Sequence, residues 1–140
     1  MEQLQEGQLI VFELLGQRYA IPVLKTQEII RMTEITPVPQ TSKYVAGIIN
    51  LRGSIVPVID LNKRMGLPMS ESNKDSRIIV VEHQGQSIGM IVDRVQEVAH
   101  FTPDEVEDTS GTVDGNAFVG GIVKKKDALW LLLDVEKVVS

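Results

Sequence analysis

The sequence predicts an all-β protein made of two similar lobes, with very little helix. Three observations support this fold class. Residues 9–30 align without a gap with residues 78–99, and eight of the 22 aligned positions are identical. A weaker similarity relates residues 47–65 to residues 121–139, with the shared order glycine, apolar pair, polar tip, apolar run and aspartate. The apolar residues also fall in short runs separated by turn residues, which is typical of barrels and sandwiches.

The duplication predicts how the chain is organised. The two copies begin about 70 residues apart, which is longer than the ~20–50 residues of a solenoid repeat. Two fused barrels or half-barrels around one shared core fit this period better. We therefore expect one domain over residues 1–140, with lobes near residues 9–67 and 77–139. The pattern leaves open whether each copy forms its own barrel or the strands exchange between lobes.

The two aligned segments each predict a β-hairpin. Residues 9–14 and 18–23 are apolar runs on either side of Gly16, and residues 78–81 and 87–92 flank Gly85 in the same way. Glycine suits a turn position with positive φ. Because both copies keep this device, we interpret these residues as structural.

A third hairpin is predicted over residues 45–61, with its tip at Arg52 and Gly53. Both arms are nearly continuously apolar, as in strands buried on both faces. Residues 36–42 form a proline-rich connector, and Ser42 could cap one helical turn over residues 43–46. Residues 60–66 resemble a short helix that begins at an Asp60 cap and ends at Gly66.

The remaining segments complete a count of about nine or ten strands. Residues 68–76 are polar and read as a link between the halves, and residues 102–116 as an acidic loop with one turn of helix. Residues 129–135 read as the closing strand. The few residues after it leave little room for a C-terminal helix.

Composition excludes several function classes. The chain has 43% hydrophobic residues, 24% charged residues and a net charge of −5, as expected for an ordinary globular protein. Nucleic-acid binders usually carry a basic stripe, whereas here the only basic run is residues 124–126, at a predicted hairpin tip. Without cysteine, disulfide staples, thiolate metal sites and thiol catalysis are excluded. No signal peptide and no apolar run of the ~20 residues that span a bilayer is evident, so we expect a cytoplasmic protein.

The sequence offers no convincing catalytic or metal site. His83 is interpreted as a surface turn residue and His100 as incidental, and two isolated histidines do not make a metal centre. Glu28 and Glu97 occupy equivalent positions in the copies, but a structural or interface role is favoured over acid–base catalysis. Asp60 and Asp134 resemble helix caps. Phosphate-binding glycine motifs are absent. We therefore expect a binding module with no enzymatic activity, no metal and no cofactor.

The copies differ most at the tip of the third hairpin. Residues 50–53 read NLRG, whereas the second copy has KKKD. Gly53 permits a backbone conformation that Asp127 reaches less readily. Arg52 presents a planar donor fork suited to a carboxylate on a partner protein. A simple exposed hairpin tip explains these residues equally well.

The segments AIPVLKTQEII and TPVPQTSKYVAGIINLRGSIVPVIDLNKRMGL resemble the CheW-like family of bacterial chemotaxis coupling proteins. The resemblance covers essentially the whole chain. It implies two SH3-like five-stranded β-barrels around a common core. It also implies a non-enzymatic scaffold that couples the cytoplasmic tip of methyl-accepting chemoreceptors to the regulatory domain of the histidine kinase CheA and supports receptor arrays. At this length a free-standing adaptor is expected, without a kinase or receiver domain.

The resemblance also implies two binding surfaces. The kinase-facing residues it suggests are Gly47, Arg52, Gly53 and Ile55. The receptor-facing residues, in a groove between barrels, are Thr26, Glu28, Ile29, Gly89 and Val98. Alternatives remain open: the glycines Gly47 and Gly89 permit tight packing, and Ile29 and Val98 belong to the core. A different function, a small OB-type barrel that binds nucleic acid or oligosaccharide, conflicts with the acidic pI near 5.0.

Overall fold

Strands make up most of the protein in a computed structural model that describes residues 7–39, 41–108 and 117–140. In chain order the strands are β1 (Gly7–Leu14), β2 (Gln17–Pro22), β3 (Thr26–Arg31), β4 (Val45–Leu51), β5 (Ser54–Asp60), β6 (Arg77–His83), β7 (Gln86–Val92), β8 (Arg94–Phe101), β9 (Val106–Asp108), β10 (Val119–Lys125) and β11 (Ala128–Leu133). Two short helices, α1 (Leu61–Arg64) and α2 (Val135–Val139), follow β5 and β11. Single 3₁₀ turns occupy Val23–Lys25 and Pro103–Glu105.

The strands form two sheets. One has six strands in the order β8-β1-β2-β11-β10-β9, and the other has five in the order β3-β6-β7-β5-β4. Neighbouring strands are antiparallel except at two parallel pairs, β2 with β11 and β5 with β7. The predicted all-β fold with two lobes is confirmed. The lobes are open sheets rather than closed five-stranded barrels.

Each sheet takes strands from both copies of the duplicated sequence. The β1–β2 hairpin joins β11, and the β6–β7 hairpin joins β5. The two parallel junctions are equivalent, since Ala20 pairs with Leu132 in one and Gly89 pairs with Val58 in the other. The duplication therefore appears in the fold as an exchange of strands between two similar lobes.

A shared apolar core lies between the sheets. Strand β1 contributes Ile10, Phe12 and Leu14 to it, and β6 contributes Ile79 and Val81. Because side chains alternate between the faces of a strand, the intervening residues of β1 and β6 point into the separate core of their own lobe. Both faces of these two strands are thus buried, which explains why the duplicated segments are so uniformly apolar.

The three predicted hairpin turns are confirmed. Leu15, Arg52 and Gln84 have φ of 52°, 51° and 52°, and each is followed by a glycine that also has positive φ. Two successive positive φ values are typical of type I′ turns, whose twist matches that of the flanking strands. Glycine adopts the second positive φ without steric cost. Only the first position therefore places an ordinary L-residue in the left-handed region.

Two predicted features of this region are wrong in whole or in part. The arms of the third hairpin are not buried on both faces along their whole length, because Asn50, Ser54 and Ile55 near the tip are exposed; only toward the end of β5 are both faces covered, where Val58 and Ile59 enter different cores. No helical turn occupies residues 43–46, because β4 already begins at Val45 after a turn in which the Val45 amide donates to the Ser42 carbonyl at 3.0 Å. The exposed part of the arms lies near the hairpin tip, where the candidate site is found.

Both predicted helix caps are confirmed, one in each copy of the duplicated sequence. Asp60 Oδ1 accepts a hydrogen bond from the Lys63 amide at 3.2 Å, and Asp134 Oδ1 accepts one from the Lys137 amide at 3.3 Å. The expectation that no C-terminal helix fits was wrong, because the Asp134 cap starts α2 within the last residues. Of the predicted acidic loop over residues 102–116, positions 109–116 lie outside the described residues, and the remainder forms a 3₁₀ turn and β9.

Arg64 ties the two copies together. Its guanidinium lies 4.5 Å from the ring centre of Tyr44 and 4.8 Å from that of Phe118, which are equivalent residues of the duplication. The same group donates to the carbonyl oxygens of Val138 at 2.8 Å and Lys137 at 3.1 Å. A cation at a helix C-terminus and between two rings is favourable on both counts, so α2 is held against α1.

Candidate functional site

The third hairpin presents Arg52 to solvent. Its tip is the type I′ turn at Arg52 and Gly53, and Asn50 Oδ1 accepts a hydrogen bond from the Gly53 amide at 2.9 Å. This side-chain bond fixes the turn without using the arginine. The Arg52 side chain remains 71% exposed and is free to make further contacts.

The partner of Arg52 within the chain is Glu28 on β3. Arg52 Nη1 donates to Glu28 Oε1 at 3.0 Å, and Nη2 donates to Oε2, which makes a two-point fork. This hydrogen bonding lowers the pKa of Glu28 below its ordinary value and raises that of Arg52. Both groups are therefore charged at neutral pH. Glu28 is accounted for by this pair, which agrees with the structural or interface role favoured over catalysis.

The pair brings together two residues that the family resemblance assigns to different surfaces. Arg52 belongs to the predicted kinase-facing set, and Glu28 belongs to the predicted receptor-facing set. Because their side chains are hydrogen bonded, the two sets adjoin at this point. Any partner that engages one side chain affects the orientation of the other.

An apolar spot lies beside Arg52. Ile55 is 64% exposed, although it sits in a strand. It borders a depression of about 280 Å³ whose lining includes Thr36, Ile48 and Asn50. An exposed aliphatic side chain beside an arginine is compatible with a protein-binding surface, in which apolar contacts and arginine side chains are both common.

Ile29 and Val98 occupy equivalent positions at the margins of the shared core. Ile29 lies on β3 and pairs with Ile79, and Val98 lies on β8 and pairs with Ile10. Directly opposed residues of antiparallel strands share a face, so both side chains lie on the face of the shared core. They are 37% and 54% exposed, respectively, because β3 and β8 are the outermost strands of their sheets. These two residues flank the core instead of belonging to its interior.

The other three predicted site residues are buried or half-buried. A Cβ at Gly47 would lie 2.2 Å from the Thr36 carbonyl oxygen, and one at Gly89 would lie 2.7 Å from Ile78 Cγ2. Both glycines are buried and permit close packing. Thr26 is half-buried, and its hydroxyl donates to the Pro22 carbonyl at 3.4 Å. These three residues support the surface from below. That they contact a partner directly stays a prediction.

The interpretation of His83 as a surface turn residue was wrong. His83 is the last residue of β6, its side chain is only 13% exposed, and Nδ1 lies 2.7 Å from Glu136 Oε2 on α2. Glu136 also pairs with Lys25 at 3.2 Å, and hydrogen bonds from Lys25 and then His83 lower its pKa. This cluster anchors α2. Within the described residues, no group of three His, Cys, Asp or Glu side chains is placed to hold a metal ion.

No helix among the described residues combines the length and the apolar character needed to cross a bilayer. The two helices have four and five residues.

The chain is similar to known chemotaxis proteins. The sequence model of the CheW-like domain matches residues 8–140. The chemotaxis protein CheW of Helicobacter pylori is 37% identical over 134 residues, which cover 95% of this chain and 81% of that protein. CheW of Bacillus subtilis is 35% identical, with coverage of 94% and 86%. The crystal structure of the scaffolding protein TtCheW from Thermoanaerobacter tengcongensis superposes with a TM-score of 0.89 at 38% identity, covering 96% of this chain and 92% of that one. These similarities do not support the alternative of a small OB-type binding barrel.

Proposed function

Because the chain belongs to the CheW-like domain family, it is a non-enzymatic adaptor of bacterial chemotaxis, and we propose that it couples chemoreceptors to a histidine kinase through two adjoining surfaces. The receptor surface is the groove flanked by Ile29 and Val98. The kinase surface is the hairpin tip with Arg52 and Ile55. The protein would act in the cytoplasm and reach membrane receptor arrays through these partners. The observation that supports the proposal is the Arg52–Glu28 pair, because it joins a residue of the predicted kinase-facing set to one of the predicted receptor-facing set.

The groove is suited to a helical partner. Ile29 and Val98 are both partly exposed, they lie on the outermost strands of their sheets, and their cross-strand partners Ile79 and Ile10 belong to the shared core. An amphipathic helix lays its apolar face into such a groove, with a few polar groups setting its register. The cytoplasmic tip of a methyl-accepting chemoreceptor, a helical hairpin, is the partner that the family resemblance implies.

The hairpin tip is suited to a β-rich partner with an apolar patch and a carboxylate. Ile55 supplies exposed apolar area, and Arg52 supplies a fork that is already oriented by Glu28. Preorganisation reduces the entropy lost on binding. The partner implied here is the regulatory domain of the kinase CheA.

Arg52→Glu should weaken binding of the kinase regulatory domain by about tenfold or more, because it removes a charge-assisted contact and places a second carboxylate beside Glu28. Isothermal titration calorimetry with the isolated regulatory domain measures this. The thermal midpoint should change little, since the Arg52 side chain is 71% exposed and ion pairs at the surface contribute little stability.

The matched control is the charge swap Glu28→Arg/Arg52→Glu. It preserves an intramolecular pair at the same place but reverses the charge presented at the hairpin tip. We expect the swap to restore the local structure without restoring kinase affinity. Full recovery of affinity in the swap would mean that Arg52 only organises Glu28, and an unchanged affinity of Arg52→Glu would contradict the kinase assignment.

Ile29→Glu should reduce receptor affinity by at least about tenfold while leaving kinase affinity within about twofold, because it places a charge in an apolar contact of the groove. Met69→Glu is the control, since Met69 is also an exposed aliphatic side chain but lies in the link between the halves. Binding to a receptor signalling fragment is compared for both variants. Joint loss of both affinities together with loss of folding would show that Ile29 is a core residue.

A further inference from the structure

Two arginines face each other across adjacent strands. Arg31, the last residue of β3, pairs directly with Arg77, the first residue of β6. Directly opposed residues have Cβ atoms only ~5 Å apart, and like charges in this position are destabilising. The Arg77 guanidinium donates to the carbonyls of Lys74 and Ser76, and within the described part of the chain neither arginine is in an ion pair.

The second copy of the fold does not have this charge pair. The equivalent cross-strand pair is Gln8 with His100, at the same position in the other sheet. Elsewhere, cross-strand arginines are compensated, since Arg18 and Arg94 both lie opposite Glu13. The arginine pair is therefore specific to one lobe and is not a requirement of the repeated fold.

The pair lines a depression that carries net positive charge. Its volume is about 560 Å³, and its charged lining residues are Arg31, Lys74, Arg77 and a single carboxylate, Asp75. An unpaired cluster of three cations and one anion attracts a negatively charged group. The planar forks of two arginines are well suited to carboxylates.

The position of Arg31 connects this depression to the groove. Residues two apart in a strand point to the same side, so Arg31 shares the face of Ile29. The two positions are separated by roughly 6.6 Å along the strand, at ~3.3 Å per residue. This spacing is close to the ~5.4 Å of one helical turn. A helix lying along β3 with an apolar residue against Ile29 would place its next turn at the arginines.

We propose that Arg31 and Arg77 form a binding site for an acidic side chain of the partner at one end of the groove. The partner helix carries Asp or Glu about one turn from the apolar residue that it seats against Ile29. The arginine pair fixes the register and direction of that helix, and it tolerates like-charge repulsion in the free protein because the partner relieves it. This inference rests on the proposed receptor-binding function and adds the chemistry by which the receptor segment is aligned.

The test is the double variant Arg31→Gln/Arg77→Gln, in which glutamine copies the residue at Gln8 of the other lobe. A chemoreceptor signalling fragment from the same genome is titrated into the full chain by calorimetry at low and at high salt. We expect affinity to fall about tenfold at low salt and much less at high salt, because screening weakens exposed charge interactions. The thermal midpoint should stay equal or rise. Kinase binding should not change.

The charge-matched control is Arg18→Gln/Lys63→Gln, which removes two exposed positive charges away from the groove and should change affinity by less than about twofold. If the wild-type chain binds the fragment and the arginine variant binds it equally well, the inference is wrong and the proposed function stands. If the wild-type chain does not bind the fragment, the proposed function is wrong, and the inference that rests on it is wrong as well. Selective loss of inorganic phosphate binding, with receptor binding unchanged, would identify a phosphate site and also overturn the inference.

Discussion

Gly47→Ala should lower the free energy of unfolding by about 3 kcal/mol or more, from backbone strain and overpacking together. Gly47 has φ of +150°, which side chains rarely adopt, and the added Cβ would lie 2.2 Å from the Thr36 carbonyl oxygen. That oxygen accepts the Ile48 amide at 2.9 Å, and the Thr36 amide donates to the Ile48 carbonyl at 2.9 Å. The substitution therefore separates the connector from β4. Urea denaturation followed by circular dichroism measures the loss.

The matched control for this prediction is Gly120→Ala. Gly120 is also buried, but a Cβ there would meet its nearest neighbour, Asp134 Cβ, at 3.9 Å, which is ordinary contact. A loss below about 1 kcal/mol is expected. A Gly47→Ala protein with native stability but weakened kinase binding would contradict the packing role and make Gly47 a direct contact residue.

Phe12→Ala should cost about 3–5 kcal/mol, the usual range for removing a buried aromatic side chain. Phe12 is fully buried in the shared core, and its ring lies 6.0 Å from that of Tyr19 in a stacked arrangement. Because this core contains residues from both sheets, the variant should still unfold in one transition, at lower denaturant. Tryptophan fluorescence of Trp130 and far-ultraviolet circular dichroism should report the same midpoint.

Val56→Ala is the comparison for Phe12→Ala. Val56 is buried in the separate core of the five-stranded lobe, so a smaller loss of about 2 kcal/mol is expected. Two resolved transitions in either variant would show that the lobes fold independently. That result would contradict a core shared between them.

Local features of this fold were predictable because local residues determine them. The glycines at 16, 53 and 85 marked hairpin turns, and Asp60 and Asp134 marked helix starts, since each effect acts over a few residues. The exchange of hairpins between lobes was not predictable. An alignment of two copies shows that they are similar, but it does not show which hairpin pairs with β5 and which with β11.

The candidate site was likewise predictable only in its local features. The exposure of Arg52 followed from its place at a hairpin tip. Its pairing with Glu28 did not, because the two residues are 24 positions apart and a bulge between Thr26 and Glu28 shifts the register of β3. The opposed Arg31 and Arg77 required the same long-range register. Comparing them with Gln8 and His100 became informative only after the strands were paired.

Formation of a ternary complex tests the central claim most directly. The receptor signalling fragment, this chain and the kinase regulatory domain are mixed, and the mass of the complex is measured by sedimentation velocity. Two adjoining but distinct surfaces predict one species that contains all three proteins, with the chain between its partners. Displacement of the receptor fragment from the chain by the kinase domain would show a single shared surface and contradict the account.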